Sequence, residues 1–319
     1  NFERHLYGNG TVRGRSQVGF GDIIIDNSDG ELDELREYGF DGRSLIIRKG
    51  NSDAAYPSGF TTIFSGTMQI AEFTIDQIIF RIRDKQGEVA DLPYQTTKFL
   101  GNNSLPSGVE GVADDLKGSP KPILYGQVFN ISAPMVNTSK LTYQIADKQI
   151  ASVDAVYDAG QPLTSGTTHG SLAALQAATV TAGQYDIYLG SGSDGAYIRI
   201  GTAPLAGFIT VDATEGATAA DRTTAQIADR ILEDRGGISG GFDATSITDL
   251  DALNSNVVGI WRGVEETTVG NILDEVVNSI GAFWRIDRTG DFLVGRLEAP
   301  SGTAVATFQD WQTIDTDIT

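Results

Sequence analysis

The chain has 319 residues, no Cys, and 42 Asp and Glu against 23 Lys and Arg, for a net charge of −19. Such a length carries two or three domains with substantial cores, and no run approaches the ~18 apolar residues of a membrane-spanning helix. Lack of Cys excludes disulfides, thiolate metal sites, iron–sulfur ligation and Cys nucleophiles, and the acidic excess argues against gripping DNA through a basic face.

Glycine is abundant, 38 of 319 residues, where ~7% is ordinary. That composition suits many short strands and turns better than a helical bundle. The start shows neither an initiator Met nor a signal peptide's basic-then-apolar pattern. Asn1 therefore reads as a cut end, and the closing TDIT (316–319) lacks a terminating feature, so a longer parent chain is expected.

Along the chain, DIIID (22–26) and SLIIR (44–48) are short Ile-rich strands flanking an acidic connection. An EF-hand frame from Asp26 puts Glu37 at position twelve, but Gly30 falls at the fifth ligand position and Glu31 where the turn glycine belongs. The stretch reads as a strand connection turned at DNSDG, with no calcium bound. Residues 60–84 carry no helix signal; Ile78, Phe80 and Ile82 alternate with Ile79, Arg81 and Arg83 at the strand period. DKQGE then turns the chain. Residues 1–90 are expected to form an antiparallel sheet or barrel.

Residues 91–122 lose regularity and hold four of the nine prolines, a long Pro/Gly-rich connection packed on a neighbour. Strands resume in ILYGQVFNIS, LTYQIAD and IASVDAVYDAG; in the last, Val153, Ala155 and Tyr157 alternate with Asp154, Val156 and Asp158. A short helix capped by Ser171 and the strands QYDIYL, AYIRIG and FITVDA complete a β-rich unit over 123–215. Three helices follow. Thr223 with Gln226 makes a capping box for the first, and Ser246 with Asp249 opens a shorter second. In the third, 267–280, Val269, Ile272, Leu273, Val276, Val277 and Ile280 form one stripe, closed by Gly281. AFWRIDRTGDFLVGRL is a hairpin turned at RTGD, and the stripe is expected to pack on it. Residues 216–319 are expected to form an α+β unit that continues past the chain end. The fold class expected is α+β, strand-dominated, with antiparallel sheets or barrels and helices concentrated in the last third.

Motifs with chemical associations dissolve in context. GSGSDG (190–195) matches a dinucleotide fingerprint, but strand-like runs lie on both sides and no helix follows, so it reads as a hairpin turn. GISGG places Ser239 in a nucleophile-elbow pattern, yet it follows a helix, and the only His residues are His5 and His169. Two His also make a poor zinc site. The acid pairs Asp114-Asp115 and Glu265-Glu266 read as solvated surface, although acids from distant segments could still meet in a glycosidase site. No catalytic, cofactor-binding or metal-ligating residues are assigned.

Several segments together resemble one family. GFGDIIIDNSDGELDELREYGFDGRSLIIRKG, GVEGVADDLKGSPKPILYGQVFNISAPMV, LTYQIADKQIASVDAVYDAG and AYIRIGTAPLAGFITVDA resemble tail-tip or baseplate hub proteins of long-tailed phages, prophages and gene transfer agents. TVGNILDEVVNSIGAFWRIDRTGDFLVGRL is similar to the helix-plus-hairpin unit near the end of many hubs, and the resemblance covers most of residues 18–300. It implies a virion structural protein without catalysis: a homo-oligomeric ring, usually a trimer, that continues the tail tube, meets other tail-tip, baseplate and tube proteins, and holds tip or fibre proteins. Assembly would occur in the host cytoplasm. Some relatives hold an iron–sulfur cluster through Cys; with no Cys here, no cluster is carried over. Genomic DNA would pass through without specific binding, and acids lining such an ejection channel repel phosphate. The acidic connection near the N-terminus suits a lumen or a subunit edge.

The rival reading is a carbohydrate-binding or carbohydrate-cleaving β-rich module of a fibre or secreted protein. Exposed aromatic platforms would favour it; Trp261 and Trp284, however, sit in strand-like apolar runs.

Overall fold

The structure is a computed structural model that describes residues 2–3, 20–104, 108–205 and 207–299. Asn1, His5 and the terminal TDIT lie outside the described residues. Strands dominate, the sheets are largely antiparallel, and the helices lie mostly in the C-terminal half.

Strands β1 (Phe2–Glu3), β2 (Phe20–Asp26), β3 (Ser44–Gly50), β4 (Phe60–Phe73) and β5 (Gln77–Arg83) make one sheet in the order β1-β2-β5-β4-β3. The period-two pattern of β5 sorts its faces: Ile78, Phe80 and Ile82 are buried with Phe64 and Met68. A register break in β4 between Met68 and Ile70 adds curvature, and the sheet curls into a half-barrel. Because β5 and β4 separate β2 from β3, the acidic stretch between them is a crossover. It fills the concave side with Leu32, Leu35 and Phe40, the Phe40 ring meeting Phe80 edge-on at 5.1 Å. Asn27 anchors it: the buried amide accepts from the Leu32 N–H at 2.8 Å and donates to Asp33 at 3.1 Å. Asp26 and Asp29 accept the N–H groups of Ser28 and Glu31, and Gly30 sits at φ +73°. These are Asx turns, in which carboxylates satisfy their own backbone. Beyond β5, DKQGE does not simply turn the chain. Residues Gln86–Ala90 form a short helix, α1, because Val89 has an apolar core to enter.

The middle unit is a β-sandwich with one short helix, α2 (Leu172–Ala177), capped by Ser171 accepting the Ala174 N–H. Its strands are β6 (Ile123–Ile131), β7 (Met135–Asn137), β8 (Thr142–Ala146), β9 (Ser152–Asp158), β10 (Gln161–Pro162), β11 (Thr164–Thr168), β12 (Gln184–Tyr188), β13 (Ala196–Ile200), β14 (Ile209–Thr214) and β15 (Gly259–Arg262). One sheet runs β10-β9-β14-β6-β15 and the other β11-β12-β13-β8-β7. Ile131, Val156, Ile209 and Val211 of the first meet Tyr143, Ile145, Ile187 and Ile198 of the second. GSGSDG is the turn of the antiparallel β12–β13 hairpin.

Gly126 in β6 shows how tightly β15 is drawn in. Its φ is +70°, and a Cβ there would lie 2.1 Å from the Val258 carbonyl oxygen. Gly259 is its cross-strand partner, equally without room for a side chain. Gly126→Ala is therefore expected to cost at least about 1–3 kcal/mol from backbone strain alone, read as a lower urea midpoint. A midpoint equal to wild type would show that β15 does not approach so closely in solution.

The remaining elements are α3 (Thr224–Asp234), α4 (Ala244–Leu253), α5 (Val269–Asn278) and the hairpin β16 (Ala282–Ile286) with β17 (Phe292–Arg296). The α5 stripe is buried where the hairpin supplies Trp284, Ile286, Phe292 and Val294. Helix α3 covers it as well, through Ile227, Ile231 and Leu232, and Val89 and Tyr94 join from the earlier chain. Gly281 ends the unit at φ +69°. Two caps differ from expectation. Gln226 turns its amide to Asp251 instead of back to Thr223, so only the Thr223 half of the box forms. Helix α4 begins at Asp243, whose carboxylate accepts the Ser246 N–H at 2.9 Å; Asp is as good a cap as Ser and stands first in the chain.

Several contacts join the units, two of them at opposite ends. Arg235, after α3, makes two 3.0 Å bonds to Asp147 beside β8. At the other end, the Ser65 N–H of the half-barrel donates to the Arg288 carbonyl in the β16–β17 turn at 2.7 Å. No described helix is long and apolar enough to cross a membrane.

Candidate binding cleft

The structure scatters most residues singled out by motif. Ser239 lies in the turn after α3, far along the chain from His169. His169 instead pairs with Asp186 at 2.8 Å, and Asp186 also accepts the Thr167 N–H, clamping β11 onto β12. Among the described residues no group of three or more His, Asp or Glu is placed to hold a metal ion. Trp284 is buried, its indole N–H donating to Asp274 at 2.7 Å.

The two acid pairs behave differently. Asp114, Asp115, Glu265 and Glu266 are all exposed, yet Asp115 and Glu265 line the same cleft, of about 580 Å³. Glu266 faces a neighbouring hollow and bonds to Lys98, which holds its carboxyl below the usual range. The cleft's floor is apolar, formed by Leu116, Ala133, Pro134 and Met135, and Trp261 lines it at the end of β15.

Each wall is held from below. Asp115 stands on a turn whose N–H groups at 115 and 116 bond to the Val112 carbonyl, while Leu116 anchors that turn among Phe99, Val136 and Tyr197. Trp261 donates its indole N–H to the Ile145 carbonyl at 2.9 Å. Buried Gln95 donates to the carbonyls of Gly263 and Lys121. Gly263 passes so close to the indole that a Cβ would lie 2.7 Å from Cη2. Arg262 is bound to Glu275 and to the Trp261 carbonyl.

No family model and no curated protein matches this chain. Sequence reasoning placed Trp261 in an apolar strand run, which is correct for β15, but missed that the strand ends at a cleft. A visible signal was the change of character within WRGVEE, from aromatic to glycine to paired acids.

Proposed function

We propose that this chain is a structural subunit of a phage tail tip or baseplate, a hub that assembles into a ring continuing the tail tube and does no chemistry itself. The segment resemblance is what suggests the family and the three-fold ring. The half-barrel supplies a physical reason for assembly. Its concave face is already apolar, yet Ile24, Ile46 and Ile70 on the convex face are 60%, 49% and 57% exposed. A lone exposed isoleucine is ordinary, but several on one sheet face suit coverage by a neighbouring copy, and among the described residues β3 ends the sheet with no further strand paired to it. A head-to-tail contact of that kind closes into a ring when its rotation allows. The crossover meanwhile displays Glu31, Asp33, Glu34 and Glu37 to solvent, acids suited to a channel wall that repels DNA phosphate.

The test is native mass and particle imaging of the chain with its tail partners. Rings of three copies are expected, and Ile24→Asp with Ile70→Asp should abolish them while the isolated chain keeps its melting temperature. A monomeric subunit within assembled tails would sink the reading, as would rings indifferent to both substitutions.

A further inference from the structure

We propose that the cleft beside Trp261 is a binding site for a neutral saccharide. This inference stands apart from the ring, since it uses none of the half-barrel residues.

Its shape fits first: about 580 Å³ falls within the ~300–1,000 Å³ of small-ligand sites. The lining then restricts the ligand. Among the described residues that line the cleft the single cation is Arg262, already bound to Glu275 and to a backbone carbonyl. The charged groups left to a ligand are the carboxylates of Asp115 and Glu265, which in ionised form only accept hydrogen bonds. A phosphate, a nucleotide or a uronic acid would meet repulsion here. The ligand must bring hydroxyl or amide donors without negative charge. It must also bring an apolar face, because Trp261, Leu116, Pro134 and Met135 cannot be satisfied by donors. A sugar ring combines the two, with C–H groups on its faces and hydroxyls around its rim. The committed indole N–H of Trp261 leaves that side chain to act as apolar aromatic surface. A lysine or arginine side chain would engage the carboxylates but leave most of the apolar floor unused.

The walls are also braced from within the fold. Gln95 bonds to Gly263 and Lys121, and Trp261 bonds to Ile145; groups held in this way have little freedom left to lose on binding. Both carboxylates are exposed, whereas a glycosidase general acid relies on an apolar pocket. The geometry is that of binding, not cleavage.

The experiment titrates the full chain with cellotriose, maltotriose and the N-acetylglucosamine trimer at millimolar concentration, following the Trp261 indole N–H signal by NMR. At least one sugar should shift that signal saturably. Asp115→Asn with Glu265→Gln should weaken the binding by about tenfold or more, since hydrogen bonds to charged acceptors are lost, at an unchanged melting temperature. Binding by none of the three sugars, or binding indifferent to the double substitution, overturns the proposal. So does saturation of the cleft by N-acetyl-lysine methylamide with no response to sugar, which would make it a site for basic peptide. Ring formation is untouched by these outcomes.

Discussion

Leu273→Ala should lower the unfolding free energy by about 2–5 kcal/mol, the range for truncating a fully buried leucine. Leu273 is 0% exposed at the centre of α5, between α3 and the hairpin strands. The cavity would open in a cluster built jointly by α3, α5 and the hairpin, whose packed elements hold one another in place, so collapse is difficult. Urea denaturation measures the loss. Val264→Ala, at a side chain exposed just ahead of α5, should stay within about 0.5 kcal/mol and serves as control. If Leu273→Asp melted with wild type, the stripe would not be a core in solution.

Arg235→Ala should cost about 3–5 kcal/mol, because it strands a buried carboxylate. The Arg235 and Asp147 side chains are 6% and 10% exposed. Replacing both with leucine should recover much of the loss, since the pair offsets its own desolvation only when complete. Asp234, beside the pair, adds a pH dependence. Burial opposes its charge, but hydrogen bonds from Lys148 and Tyr125 and the nearby Lys148 and Arg235 charges outweigh this and hold its carboxyl below the ordinary value of 3.8. A carboxyl depressed on folding stabilises the protein above its unfolded value and loses that contribution as pH falls through its folded one. Asp234→Asn should therefore melt below wild type at pH 7, with the gap closing under about pH 4. A gap that stays constant down to pH 2 would remove Asp234 from the linkage.

Where local pattern decided structure, the sequence was readable. The strand period of Ile78, Phe80 and Ile82, the helical stripe of α5, the Ser171 cap and the hairpin turn at GSGSDG each depend on residues a few positions apart. Long-range geometry was not readable. Nothing near Asp115 indicates that it will share a cleft with Glu265, 150 residues later, because β15 reaches back to β6 to bring them together. In DKQGE local signals favoured a turn, and burial of Val89 in a core built from 225–294 favoured a helix instead. The α4 start failed for a smaller reason: two good caps stood three residues apart, and the first won.

The bond from Ser65 to Arg288 has a consequence for how the protein is made. Ser65 leaves the ribosome 223 residues ahead of its partner, roughly 11–45 s at the usual ~5–20 residues per second. Val89 and Tyr94 also wait, though less long, since the helices and hairpin that bury them come late as well. The half-barrel can curl around its own crossover during that interval, and the sandwich can form all but its last edge strand, β15. Translation thus yields two finished pieces held apart until the final hairpin emerges and locks both. A nascent chain halted before residue 282 would carry a folded half-barrel on an unfastened tether, with α5 covered by α3 and α1 but lacking the hairpin's Trp284, Ile286, Phe292 and Val294.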